Sequence, residues 1–441
     1  MTIKYVSNVN AQRYKNLDLE KGLNLSNGLN IFIGSNGSGK SNFIGLLKFL
    51  KDCLSGDFSA EANSASNFTK AISNLGDSRI LNAAFLHPEI VNLTFTLSTQ
   101  NLEKDIEDLL ILKNSLHLSI LCSDKKFPQI VEESLSESSE ESGFESELDR
   151  DHRSYYYKFP YESNEYGAIF FADHDKEYTK VSGIQNNEIG LSTLPKLLEG
   201  LEEYPPEIST LNYIRRQIIN LISDWRFYSA NDMNLKEIRN AEPEIGSPEK
   251  YLNPDCENLA LVLDNLIQES IDFEEQINVI MRDIVPQTKR IRPIRTGRTR
   301  ISIEWHLKDT KRPLYLDEMS DGTVRMLCWA IILNSPNLPS LIVIDEPEVG
   351  LHVQWLSYLA EWIRNAATKT QIIITTHSPD LLDKFTDCLE NVHVFEASNP
   401  EKTLFHVNTL SRERLQDRLD EGWELGDLYR VGDPEVGGWA L

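Results

Sequence analysis

The stretch Leu29-Asn30-Ile31-Phe32-Ile33-Gly34-Ser35-Asn36-Gly37-Ser38-Gly39-Lys40-Ser41-Asn42-Phe43 decides how this chain folds. Leu29 to Ile33 is an apolar run of strand length, and from Ser41 to Leu50 the apolar residues take helical spacing. Between them, Gly34 to Ser41 fits the pattern G-x-x-x-x-G-K-[ST]. Strand, glycine-rich loop and helix is the context that a phosphate-binding loop requires. The glycines let the backbone fold so that several N–H groups point inward at phosphates. Lys40 brings positive charge to the β and γ phosphates, Ser41 offers its hydroxyl to Mg²⁺, and the helix turns its positive end to the site. The plainer reading, a flexible Gly/Ser turn, accounts for neither flank.

Two later segments supply acids and a histidine. Leu341-Ile342-Val343-Ile344 runs into Asp345-Glu346-Pro347-Glu348, which describes a buried strand delivering carboxylates at its carboxyl end. Asp345 is placed to bind Mg²⁺ and Glu346 to take a proton from an attacking water, whereas Glu348 reads as a surface acid. Gln371-Ile372-Ile373-Ile374-Thr375-Thr376-His377-Ser378-Pro379 is a second buried strand, ending in a histidine. A neutral His377 there donates to the γ-phosphate or orients water; the plainer reading is a satisfied structural histidine. Helices are expected at 323–333, 352–366 and 379–386, with strands at 341–344, 371–375 and 391–395. That alternation predicts an α/β fold with a mainly parallel sheet covered by helices.

The rest of the chain fits around this frame. Val91 to Leu97 alternates cleanly and predicts a strand with one solvated face. Residues 102–114 read as helix, 154–183 as Tyr-rich strands and 194–224 as helix. Residues 131–151 hold nine acids and one base and read as a mobile acidic loop. A long helix is expected over 258–284, then a β segment over 288–307. The expected organisation is an N-terminal half (1–100), an insertion (101–220), a C-terminal half (221–400) and a tail (401–441).

The net charge of −24 disfavours a protein that coats nucleic acid with its whole surface. Lys289, Arg290, Arg292, Arg295, Arg298 and Arg300 nevertheless form a basic cluster, open to two readings: a DNA or acidic-partner contact, or a solvated strand face. The five cysteines are scattered, with no C-x-x-C, which fits a reducing cytoplasm and no zinc site. No apolar run approaches membrane-spanning length, and the N-terminus lacks the apolar core of a signal peptide.

The ordered set of the phosphate loop, Ser320-Asp321-Gly322, Asp345-Glu346-Pro347-Glu348 and Thr376-His377-Ser378-Pro379 resembles the ABC ATPase superfamily of P-loop proteins. Within it the chain is similar to the RecF-like and structural-maintenance-of-chromosomes (SMC) branch, and to prokaryotic "AAA family" ATPases of phage-defence systems. Among the latter are the Septu-like proteins and overcoming-lysogenization-like proteins without a TOPRIM domain. The resemblance covers about 1–100 and 221–395. It implies ATP and Mg²⁺ as cofactors. It also implies a head-to-tail dimer or higher homo-oligomer, in which Ser320 and the N–H groups of Gly322 and Thr323 face the γ-phosphate of ATP held by the partner. The commoner signature is Leu-Ser-Gly-Gly-Gln. Asp321 departs from it, and a carboxylate aimed at a phosphate is repulsive, so Asp321 is expected to cap its helix or point away. Gln100 stands where the family's Q-loop glutamine falls, and His352 in the loop after Glu346 is either a trans-acting residue or a helix-start residue.

The resemblance also implies what ATP turnover drives. One reading is a cytoplasmic defence ATPase controlling a separately encoded effector, a nuclease or toxin; only 64 residues follow His377, little room for a fused nuclease. The other is a RecF-like repair ATPase that holds DNA through Lys289 to Arg300.

Overall fold

Apolar runs that fill a strand from end to end need cover on both faces. Leu29–Gly34 and Gln371–Thr375 are buried throughout, and Leu341–Asp345 at all but its last residue. In this computed structural model, residues 2–54, 66–99, 111–124, 126–140, 154–160, 166–172, 178–198, 207–270, 272–398 and 403–437 are described. The chain divides into two compact units, and the three strands above belong to the second.

The second unit comprises Gly28–Ser35, Arg226–Val394 and Thr409–Leu441. Its strands lie in the order Arg226–Ser229, Leu341–Asp345, Gln371–Thr375 and Leu29–Gly34, followed by the strand Val392–Ala397, whose first three residues belong to this unit, and the first four pair in parallel. This is the parallel sheet expected from the alternation of residues 341–395. Helices Asp321–Asn334 and Leu356–Ala367 supply buried faces through residues such as Trp329, Leu359 and Ile363. The single helix expected over 258–284 is two, Leu259–Glu269 and Phe273–Ile284. Ser270 between them is extended at φ −134° and ψ 110°, so the first helix stops there despite continuous apolar spacing. The β segment 288–307 is an antiparallel hairpin, Thr288–Thr296 with Arg300–Leu307, joined by Leu314–Tyr315 in a separate three-stranded sheet. Helices Arg412–Asp420 and Leu425–Val431 follow near the C-terminus.

The first unit comprises Met1–Asn27, Asn36–Trp225 and Phe395–Asn408. Ile3–Tyr14 pairs antiparallel with Leu17–Asn24 on one side and Glu89–Thr99 on the other. Val91, Leu93, Phe95 and Leu97 are all buried, as the alternation predicts. Five further antiparallel strands follow in order: Ile111–Cys122, Gln129–Glu140, Ser154–Pro160, Tyr166–Ala172 and Tyr178–Gln185. Helix Lys40–Leu54 buries Phe43, Leu46, Leu47, Phe49 and Leu50, and Phe49 meets Phe68 edge-on at 6.1 Å between ring centroids.

Two expectations for this unit are corrected. Residues 111–114, read as helix, open the strand Ile111–Cys122, whose Leu116, Leu118 and Ile120 alternate into the core; 101–110 lie outside the described residues. Residues 131–140, read as acidic loop, belong to the strand Gln129–Glu140, while 141–151 lie outside the described residues. Two of the acids in that strand have partners that suit a sheet. Glu132 meets Lys158 at 3.2 Å on the accessible face. Glu133 is fully buried and accepts from Tyr157 Oη at 2.7 Å, Gly190 N at 2.7 Å and Leu191 N at 3.0 Å. Burial still pushes its pKa up to about 7. Among the described residues, no helix is long and apolar enough to cross a membrane.

Candidate functional site

Parallel strands place their carboxyl ends at one edge, where a βα crossover leaves a crevice. In the second unit the order Leu341–Asp345, Gln371–Thr375, Leu29–Gly34 brings Asp345 and Glu346, Thr375 to His377, and Gly34 with Ser35 to that edge. The Thr375 hydroxyl donates to Asp345 Oδ1. Glu346 has a φ of 51°, the left-handed region that costs a residue with a β-carbon about 1–2 kcal/mol. Its N–H holds that conformation by donating to Thr375 O at 3.1 Å. The turn re-aims the side chain: Glu346 Oε1 lies 3.7 Å from His377 Nε2, and Oε2 accepts from Asn231 Nδ2 at 3.5 Å. Glu346 and His377 are thus neighbours. The other ring nitrogen of His377, Nδ1, lies 3.4 Å from the Tyr429 hydroxyl.

Glu348 is not the surface acid that its position in the sequence suggests. Its Oε1 accepts from Thr376 Oγ1 at 2.6 Å and from His377 N at 3.1 Å, so it ties down the loop carrying the histidine. Its Oε2 is buried with no hydrogen-bond partner among the described residues, and burial pushes the carboxyl pKa up.

The signature segment lies in the same unit. Ser320 is the N-cap of Asp321–Asn334: its Oγ accepts from Thr323 N at 3.2 Å and lies 2.8 Å from Thr323 Oγ1. These hydrogen bonds go to its own helix and not to Asp345, Glu346 or His377. Asp321 points to Arg239 at 2.5 Å, and Arg239 also donates to Met319 O at 2.8 Å. The charge that disturbed the signature pattern is therefore matched by a fixed guanidinium. A β-carbon on Gly322 would stand 2.9 Å from the Trp355 ring and 3.3 Å from Gly350 O, so a glycine is required for that approach. His352 Nδ1 accepts from Gln354 N at 3.3 Å, the helix-start role.

The phosphate loop enters from Gly34 and Ser35, and its remainder, residues 36–41, belongs to the first unit. Gly37 and Gly39 have φ of 78° and 101°, and a β-carbon on Gly39 would fall 2.4 Å from Leu17 Cδ2. Asn16 braces the loop: its Nδ2 donates to Gly37 O at 2.6 Å, and its Oδ1 accepts from Asn42 Nδ2 at 2.8 Å. Lys40 is buried to 6% exposure and its Nζ donates to Ser38 Oγ at 3.4 Å. Ser35, Asn36, Gly37 and Ser41 are exposed. The Q-loop candidate Gln100 lies outside the described residues.

The residues present suit Mg²⁺ bound with a phosphate ligand. Mg²⁺ takes one or two protein oxygens and fills its octahedron with phosphate and water. Among the described residues no group of three or more His, Cys, Asp or Glu would hold a metal without such help. In the second unit Asp345, partly buried and oriented by the Thr375 hydroxyl, is a donor of the right kind; in the first unit the exposed Ser41 hydroxyl is another. Asn16, Asn231 and Tyr429 carry no local motif that marks them, and Glu348 holds the histidine loop where its position suggested a surface acid. Tyr429 stands 52 residues from His377, too far in sequence for any local pattern to suggest the contact.

The family described as "AAA domain, putative AbiEii toxin, Type IV TA system" matches residues 29–107 and 127–383. An SMC head bound to the C-winged helix domain of ScpA is 12% identical, with a TM-score of 0.50, covering 93% of this chain and 99% of that one. The SMC head of Thermotoga maritima is 11% identical with a TM-score of 0.41, covering 92% and 99% respectively. A Pyrococcus furiosus SMC head, bound to the C-terminal domain of ScpA, is 14% identical with a TM-score of 0.45, covering 95% and 99%. None of the curated proteins matches.

Proposed function

We propose, from the premise that this chain belongs to the AbiEii-type AAA-domain family and has the ABC-type P-loop fold of the SMC and RecF branch, that it binds ATP with Mg²⁺ and hydrolyses the nucleotide. The observation that carries this reading is the carboxyl edge of the parallel sheet, where Asp345, Glu346 and His377 stand beside the strand that runs into Gly34-Ser35-Asn36-Gly37-Ser38-Gly39-Lys40-Ser41. The N- and C-terminal parts of the chain, about 1–100 and 221–400, supply these motifs.

Bound MgATP supplies the phosphoanhydride to be cleaved and a cation that spreads its charge. The chain's own residues do the rest. The backbone N–H groups of residues 34–41 hold phosphate oxygens, and the Lys40 ammonium offsets the charge that develops on them. Asp345 and Ser41 are the protein ligands for Mg²⁺. Glu346 accepts the proton of the attacking water, and His377 Nε2 donates to the γ-phosphoryl side. Neutralising Glu346 leaves binding intact and removes the base. Glu346→Gln is expected to bind ATP with wild-type affinity and hydrolyse it at least about 100-fold more slowly, while Lys40→Ala impairs binding. Equal hydrolysis by Glu346→Gln and wild type would overturn the assignment of the base.

Two chains are proposed to share the chemistry, with Ser320 and Gly322 of one presented to the γ-phosphate held by the other. What supports this is the local geometry: Ser320 is exposed, caps its own helix, and makes no hydrogen bond to its own chain's Glu346 or His377 among the described residues. ATP closes such a dimer and hydrolysis reopens it. The output we favour is control of a separately encoded effector in a cytoplasmic anti-phage complex, consistent with the toxin–antitoxin description of the family. A second reading, DNA binding of the RecF kind, has one observation in its favour. Arg290 and Arg292 are paired with Glu274 and Glu304. Lys289, Arg295, Arg298 and Arg300 are exposed and have no ion pair among the described residues.

A further inference from the structure

A catalytic histidine works only in the right tautomer and ring orientation, and something must fix both. For His377 the sequence offers no such partner nearby. The C-terminal helix Leu425–Val431 supplies one, because Tyr429 Oη lies 3.4 Å from His377 Nδ1. Tyr429 is 1% exposed, so its hydroxyl has no access to bulk water and its partner must be internal.

The helix that carries Tyr429 is seated tightly. A β-carbon on Gly426 would stand 2.0 Å from Pro379 O, in the turn immediately after His377 and Ser378. Leu425 N donates to Thr386 Oγ1 at 2.9 Å. Arg430 reaches Asp380 at 2.7 Å and Asp383 at 3.4 Å. The helix therefore grips the segment that follows the histidine, and Glu348 holds the histidine's backbone N–H.

From this arrangement we infer that Tyr429 is a positioning residue: its phenol donates to His377 Nδ1, which leaves the proton on Nε2, facing Glu346 and the nucleotide. The reverse pairing, Nδ1–H donating to the phenol oxygen, would leave an Nε2 lone pair turned toward the Glu346 carboxylate 3.7 Å away, an electrostatic clash. Burial and the nearby Glu348 charge push the Tyr429 pKa up, which keeps the phenol protonated and a donor. The role in turnover rests on the ATPase reading above; the tautomer assignment does not.

The test is Tyr429→Phe, which keeps the buried ring and removes the hydroxyl. Long-range ¹H–¹⁵N spectra of the full chain with ¹⁵N-labelled histidine, with His377 assigned by its loss in His377→Gln, read the tautomer directly. Wild type is expected to show His377 protonated at Nε2 and accepting at Nδ1, and Tyr429→Phe to move the Nδ1 resonance and mix the tautomers. In steady state kcat is expected to fall roughly three- to tenfold with KM for ATP unchanged. That fall should disappear when Tyr429→Phe is placed on a His377→Ala background, since the hydroxyl acts only through the ring. Identical His377 resonances in wild type and Tyr429→Phe, or additive losses in the double variant, would overturn the inference. A wild-type chain without ATP hydrolysis would instead sink the ATPase reading, and the spectra would still decide the contact.

Discussion

His393 shows how one buried side chain sets a pH limit on the fold. It is 2% exposed; its Nδ1 lies 3.0 Å from Thr409 Oγ1 and its Nε2 3.3 Å from Asn30 Oδ1, with Phe32 edge-on at 5.5 Å. Burial lowers its pKa from 6.5 to about 4. The folded chain thus holds it neutral where the unfolded chain takes up a proton. The associated stability is complete above pH 6.5 and is lost as pH falls toward 4, by up to about 3 kcal/mol. Urea melts of wild type and His393→Gln at pH 7 and pH 4.5 measure it: the variant is expected to lose less stability on acidification. A parallel loss in both proteins would mean that other groups dominate. Glu346 makes the complementary point at this scale, since its left-handed backbone is disfavoured for stability and is met at the turn where the proposed base must be aimed.

At the scale of elements, the hairpin Thr288–Thr296 with Arg300–Leu307 concentrates positive charge in an acidic chain. Two of its arginines are already neutralised by Glu274 and Glu304, which leaves Lys289, Arg295, Arg298 and Arg300 outward-facing. If this element holds duplex DNA, each phosphate contact contributes a slope of about −0.9 in log K against log salt. Replacing Arg295, Arg298 and Arg300 by serine is then expected to flatten the slope by roughly 3 in fluorescence titrations. Binding that is absent, or whose slope is unchanged by the triple substitution, leaves the hairpin as a solvated face and favours effector control. The helix Leu425–Val431 is the other informative element. Its docking depends on Gly426 and on ion pairs of Arg430 with Asp380 and Asp383, none of which has a local sequence signature.

At the scale of the whole molecule, the proposed chemistry is incomplete in one chain, since the signature serine is presented outward. Light scattering of Glu346→Gln with ATP and Mg²⁺ is expected to give twice the protomer mass, and ADP to give the protomer. Ser320→Arg in the same background is expected to abolish the doubling, because the added bulk and length at the helix cap obstruct the partner's nucleotide. A mass that ignores both nucleotide and Ser320 would sink the composite site while leaving ATP binding untouched. With 12% identity to an SMC head at a TM-score of 0.50, the architecture is shared where little of the sequence is.

Local chemistry made much of this readable beforehand. The phosphate loop, the acids after strand Leu341–Asp345 and the histidine after Gln371–Thr375 are contiguous motifs, and a buried parallel strand needs an unbroken apolar run that any sequence displays. The same local reasoning failed at residues 131–140, where acidic composition suggested a loop. A strand forms there because Tyr157 and the N–H groups of Gly190 and Leu191 receive Glu133, and neighbouring strands pair the backbone. It failed also at 258–284, where helical periodicity continues across the break at Ser270. The fold class, and the residues proposed to handle phosphate, could be read from residue type at short spacing alone. That Asp321 meets Arg239, that Glu348 holds the histidine loop and that Tyr429 reaches His377 from 52 residues away emerged with the folded chain. Those contacts exist through packing of distant segments, and no local pattern encodes them.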